Sequence, residues 1–166
     1  MSSKSFHKVV VPTDFSDVSL SALDYLQSVT AFQKATVYLL HIVENVPMVA
    51  FPAIELDSET AMRNAEEDAR QDIERIIKER VHSLENVLPV IRRGIPYQEI
   101  TQFAKTANAD LIVIATHGRT GVAHAVMGSV AEKVIRHSSV PVLTVKPAGI
   151  GVDRSTGEQL QIPDGT

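Results

Sequence analysis

Five short apolar runs, separated by segments of helical spacing, constrain this chain more than any other feature. They fall at residues 9–11, 37–42, 87–91, 111–115 and 142–145. Each is too short for a core helix and apolar at successive positions, the pattern of a strand buried on both faces. Pro89 inside the third run points to a sheet edge, where a missing N–H costs little. Between the runs, Leu20, Leu23 and Leu26 line one face of a first helix, with Ser16 or Asp17 as its N-cap. Met62, Ala65, Ala69, Ile73, Ile76 and Ile77 form the longest stripe, and Glu66, Glu67, Arg70, Glu74, Arg75 and Lys78 its solvated opposite face. Pro96 suits the first turn of a third helix bearing Ile100, Phe103 and Ala107. Val130, Ala131, Val134 and Ile135 mark a fourth, expected to open on Ser129 as N-cap. Strict alternation of strands and helices implies an α/β, doubly wound parallel sheet with right-handed crossovers and helices on both faces.

In such a sheet ligands lie outside the carboxyl ends of the strands, where the strand order reverses. The residues just after each strand therefore matter most. Two segments fall outside the alternation. Residues 44–57 form a connection longer than usual, interrupted by Pro47 and Pro52, and residues 149–166 form a polar tail expected to be poorly ordered. The remainder, 1–148, reads as one domain.

Composition removes several classes of function. The net charge of −4 argues against a general binder of phosphate backbones, so no nucleic-acid partner is expected. With no cysteine, disulfides, thiolate catalysis and Cys-ligated zinc are impossible. No run approaches the roughly 20 apolar residues of a membrane helix, and the polar start lacks a secretion signal. A cytoplasmic protein with no membrane partner is expected. The six histidines include His41, His117 and His124, but no pair has the spacing of a metal site, so no dedicated metal site is expected.

The most informative stretch is Ala115-Thr116-His117-Gly118-Arg119-Thr120-Gly121, followed by Gly128-Ser129. It leads from the fourth strand into the fourth helix. Glycines allow a ligand close to the backbone, and a helix start offers N–H groups with partial positive charge. On composition, a phosphate site and a plain glycine-rich connection stand level. No Gly-Lys-Ser/Thr ends the stretch, so it is not a Walker A loop. The dinucleotide pattern is absent too, since Val11-Pro12-Thr13-Asp14-Phe15-Ser16 contains no glycine. Asp14 has two readings: a turn residue at a helix start, or a carboxylate for a ribose hydroxyl or adenine amine.

Pro12-Thr13-Asp14-Phe15-Ser16, Leu39-Leu40-His41-Ile42, His117-Gly118 with nine residues before Gly128-Ser129, and the ending Ser138-Ser139-Val140-Pro141-Val142-Leu143-Thr144-Val145 together resemble the universal stress proteins. The likeness runs over roughly residues 6 to 147. It implies a five-stranded sheet of order 3-2-1-4-5, the Rossmann-like, adenine nucleotide alpha hydrolase-like fold, with a cleft between the first and fourth strands. It implies ATP as ligand, with Mg²⁺ or Mn²⁺ arriving on the phosphates. Carried over, Asp14 and the backbone at Ile42 hold the adenine and ribose. Pro12 and Thr13 form the cleft floor, and Ile114 and Ala115 end the fourth strand beside it. Gly118, Gly128, Ser129 and Val130 cradle the phosphates. Two departures stand out. The first glycine of the family's Gly-x-x-Gly-x(9)-Gly-Ser/Thr pattern is Ala115 here, and Ala131 lacks a hydroxyl that some members supply.

The resemblance implies a nucleotide-dependent regulatory or stress-response module, a homodimer paired through residues 142–145, acting on an unknown downstream protein. Efficient catalysis is not expected, because no carboxylate in the glycine stretch is suited to position water. Slow ATP hydrolysis or self-phosphorylation at Ser129, Thr120 or Thr116 is the alternative enzyme reading. A nucleotide-free dimeric interaction protein is the alternative favoured by Ala115. A response-regulator receiver is excluded, because the third strand ends in Arg92-Arg93-Gly94 rather than a phosphoacceptor aspartate.

Overall fold

The computed structural model describes residues 6–44, 58–116 and 127–146. Along the chain run β1 (Lys8–Thr13), α1 (Asp17–Ser28), a 3₁₀ turn (Thr30–Phe32), β2 (Thr36–Val43), α2 (Ser58–Arg80), β3 (Asn86–Arg93), α3 (Pro96–Thr106), β4 (Leu111–Ala115), α4 (Ser129–His137) and β5 (Val142–Val145). All strands are parallel, in the order β3-β2-β1-β4-β5. The chain winds outward from β1 to β3, then crosses back to β4 on the other side. The reversal thus falls between β1 and β4, as the family resemblance implies.

The central strands are buried on both faces because helices cover both. Val9, Val11, Val37, Leu39, Val113 and Ala115 pack with Leu20, Leu23 and Leu26 of α1 and Ile73 of α2. The intervening Val10, Leu40, Ile42, Ile112 and Ile114 pack with Ile100 and Ala104 of α3 and Ala131 and Val134 of α4. This two-residue alternation assigns each side chain at the carboxyl edge to one face. Pro89 lies on the β3 edge strand, as its missing donor demands.

Local chemistry sets the helix ends. Ser16 caps α1, its Oγ accepting the Ser19 amide at 3.1 Å. Pro96 opens α3, and Asn108 closes it in the left-handed region at φ 52° while the Ala109 amide donates to the Ala104 carbonyl at 2.9 Å. The sequence places Ser129 at the N-cap of α4, but the cap is Gly128. Its backbone is extended at φ −70° and ψ 148°, and its carbonyl takes the Glu132 amide at 3.0 Å, so Ser129 is already helical. A clamp joins α2 to α1: Arg80 meets both carboxylate oxygens of Asp24, at 3.0 and 2.8 Å, and reaches Asp17 at 2.8 Å. These hydrogen bonds, Asp24 first, raise the guanidinium above its ordinary pKa. The loop at 45–57, Gly118 with its neighbouring His117, Arg119, Thr120 and His124, and the tail at 149–166 all lie outside the described residues.

Candidate functional site at the carboxyl edge of the sheet

The segment after β1 is held by side chains rather than by a strand ladder. Thr13 is buried, and its Oγ1 lies 2.9 Å from Ser19 Oγ while accepting the Phe15 amide at 3.0 Å. Asp14 Oδ1 accepts the Ser16 amide at 3.0 Å and the Ser16 hydroxyl at 2.5 Å, an Asx turn that leads into α1. Both readings of Asp14 therefore remain compatible with its place, half-buried at the end of a central strand. Phe15 adopts φ 67°, a left-handed conformation that costs a residue with a Cβ roughly 1–2 kcal/mol. Its ring is stacked on His41, with centroids 4.1 Å apart and planes 20° from parallel. His41 Nδ1 lies 2.8 Å from the Thr13 carbonyl. A carbonyl only accepts, so Nδ1 carries the proton of that bond.

On β2, Ile42 is buried on the face of α3 and α4, and so is Ile114 of β4. Ala115 is 4% exposed and belongs to the opposite core, against α1. Its methyl therefore turns away from the side on which α4 begins. The chain leaves β4 through Thr116, whose amide donates to the Val145 carbonyl at 2.9 Å. It returns at Gly128, whose amide donates to the Thr116 carbonyl at 2.6 Å. That bond brings the start of α4 to the end of a central strand. Gly128 has no side chain with which to cap this helix start, and among the described residues no side chain caps it; the first-turn N–H groups of Ser129, Val130 and Ala131 have no intrahelical acceptor. Ser129 and Val130 are exposed there and Gly128 is half-buried.

Of the residues singled out by sequence, Pro12, Thr13, Asp14, Ile42, Ile114, Ala115, Gly128, Ser129 and Val130 all stand along this one edge. The Thr13 hydroxyl is taken up by Ser19 and Phe15 on the α1 side, and one Asp14 carboxylate oxygen by Ser16. Sequence reasoning gave no structural role to the Phe15–His41 stack or the buried Ser19 hydroxyl. The Asp14-x-Ser16 spacing does signal an Asx turn. Nothing in a phenylalanine signals a left-handed backbone.

Residues 5–146 match the model of the universal stress protein family. The chain belongs to that family. Universal stress protein MJ0531 of Methanocaldococcus jannaschii is 37% identical over 147 residues, spanning 85% of this chain and 82% of the relative. Universal stress protein MJ0577 of the same organism is 30% identical, over 85% of this chain and 95% of its own. The solved structure of MJ0577 superposes with a TM-score of 0.72 over 87% of this chain and 98% of that one. Two more distant structures share the fold of this universal stress protein: one in complex with cAMP, at 24% identity and a TM-score of 0.55 over 86% of this chain and 98% of that one, and one from Arabidopsis thaliana with AMP bound, at 18% and 0.54 over 87% and 97%.

Proposed function

We propose that this universal stress protein binds ATP at the edge between β1 and β4 and acts as a nucleotide-dependent regulatory module. The observation that carries the proposal is the uncapped start of α4, fastened to the end of β4 by the Thr116–Gly128 bond. A helix start with spare N–H groups at the reversal point of a doubly wound sheet favours an anionic ligand. Ser129 adds a hydroxyl beside its own N–H. Asp14, one strand away, supplies a carboxylate and the backbone at Ile42, two strands away, supplies polar groups, suited to ribose and adenine. Ala115, the departure that favours a nucleotide-free protein, directs its methyl into the α1-side core, so it takes no space on the α4 side. Metal enters this reading as Mg²⁺ or Mn²⁺ carried by the phosphates themselves. Members of the same fold hold cAMP and AMP, which agrees with an adenine ligand.

The test is to denature the purified protein, identify any released nucleotide by chromatography, and titrate ATP with Mg²⁺ by calorimetry. Gly118→Val and Gly128→Val should each abolish saturable binding. The second leaves the backbone undisturbed, because φ −70° suits any residue. No released nucleotide and no binding at millimolar ATP would move the chain to the nucleotide-free class.

A homodimer through β5 is part of the same proposal. Val142, Leu143 and Val145 sit half-buried on an edge strand, and a paired edge is protected from promiscuous association.

A further inference from the structure

We infer that His41 is a positioning residue, which sets the place of Asp14 from the neighbouring strand. It grips the chain on both sides of that carboxylate. Its Nδ1–H reaches the carbonyl of Thr13, the residue before Asp14, at 2.8 Å. Its ring lies flat against Phe15, the residue after, at 4.1 Å. Asp14 lies beyond the end of β1 and its register with β2, so strand pairing does not fix it. Its carboxylate is tied to Ser16 and its amide donates to Ser19 Oγ, and the backbone that carries it is set by its two neighbours, one of which holds a conformation that a side chain resists. Phe15 stays at φ 67° because its amide is bound by Thr13 Oγ1 and its ring is covered by His41. A leucine would fill the same volume in the α1-side core, yet it supplies neither the donor nor the flat surface. The imidazole supplies both at once, from a residue paired with Thr13 in the sheet register.

This inference rests on the nucleotide reading only for the task of Asp14, which is to meet the ligand. Its test therefore has two readouts. The first is amide hydrogen exchange at Phe15 and Ser16 without ligand. His41→Leu should speed exchange there about tenfold or more while leaving the β4 amides unchanged. His41→Asn keeps an N–H donor near the Nδ1 position, and His41→Phe keeps the stacked ring, so each should recover part of the protection. The second is a double-mutant cycle read in ATP affinity. Asp14→Asn should weaken binding about tenfold in the natural protein and less than about threefold in the His41→Leu background, because the carboxylate is already misplaced there. An equal loss in both backgrounds, or ATP binding indifferent to Asp14→Asn, overturns the inference. So does unchanged exchange at Phe15 and Ser16 in all three His41 variants. If the natural protein binds no ATP, the nucleotide reading falls, and the exchange data alone decide the positioning role. Should His41→Leu fail to fold, the asparagine and phenylalanine variants carry both readouts.

Discussion

The amide of Gly128 donates to the carbonyl of Thr116 across a distance of 2.6 Å, joining the start of α4 to the end of β4. Gly128 has φ −70°, close to the fixed φ of proline. Gly128→Pro should therefore remove this hydrogen bond with little backbone strain. The expected loss is about 1 kcal/mol of stability, the net value of one such bond, read as a lowered urea midpoint with an unchanged slope. A change below a few tenths of a kcal/mol would mean that the bond does not hold the α4 start in place.

The Arg80 clamp predicts a difference between two basic side chains. Arg80→Lys keeps the charge but loses the two-pronged contact with Asp24 and the simultaneous reach to Asp17. It should cost about as much as Arg80→Ala, on the order of 1 kcal/mol because the group is about one-third exposed. Equal stability of the lysine variant and the natural protein would show that charge alone suffices. The pH dependence follows from the raised Arg80 pKa. A raised value in the folded state stabilises at every pH below the ordinary arginine range and loses that contribution only as pH rises through the folded-state value. Deprotonation of Arg80 should thus leave stability flat between pH 6 and 9, which thermal melts across that range would check.

Gly94 has φ +144°, and an added Cβ there would lie 3.0 Å from the Glu99 Cγ. Gly94→Ala should destabilise the protein by about 1–3 kcal/mol, mostly through backbone strain. Adding Glu99→Ala removes the contact but not the strain, so the double variant should recover only a minor part. Full recovery, measured by denaturant unfolding, would assign the cost to the contact instead.

The β5 edge predicts an assembly phenotype. Replacing Val142 and Leu143 together with charged residues should move the protein towards monomer in gel filtration and light scattering. Both side chains are only half-buried, so the fold should survive, as circular dichroism would report. An unchanged mass would rule out pairing through this edge.

Much of this architecture was legible from residue patterns. The five apolar runs identified every strand of the sheet, because buried parallel strands leave little room for polar residues. Pro89 marked an edge strand correctly, and Ser16 marked the start of α1. Ser129 misled by one position: serine is a favoured N-cap, but the extended backbone at Gly128 takes the cap without needing a side chain. The 3₁₀ turn at Thr30–Phe32 has no periodicity long enough to detect. At the candidate site, a turn at Asp14 and a helix start near Ser129 could be read from the residues, since turns and helix starts use few residue types. The direction of the Ala115 methyl could not, because it depends on the exact register of β4. Nor could the His41–Phe15 stack, which joins β2 to the turn after β1 through a conformation that phenylalanine rarely adopts.

Pro89 has a further consequence for growth of the sheet. Proline cannot donate to a ladder, so the β3 side is a poor template for a further strand. Among the described residues, β5 forms the other edge of the sheet. In the proposed dimer, two copies that meet there would consume both β5 edges at once and leave a proline-bearing strand at each extremity. Such a pair would resist the addition of further strands and growth into a fibre.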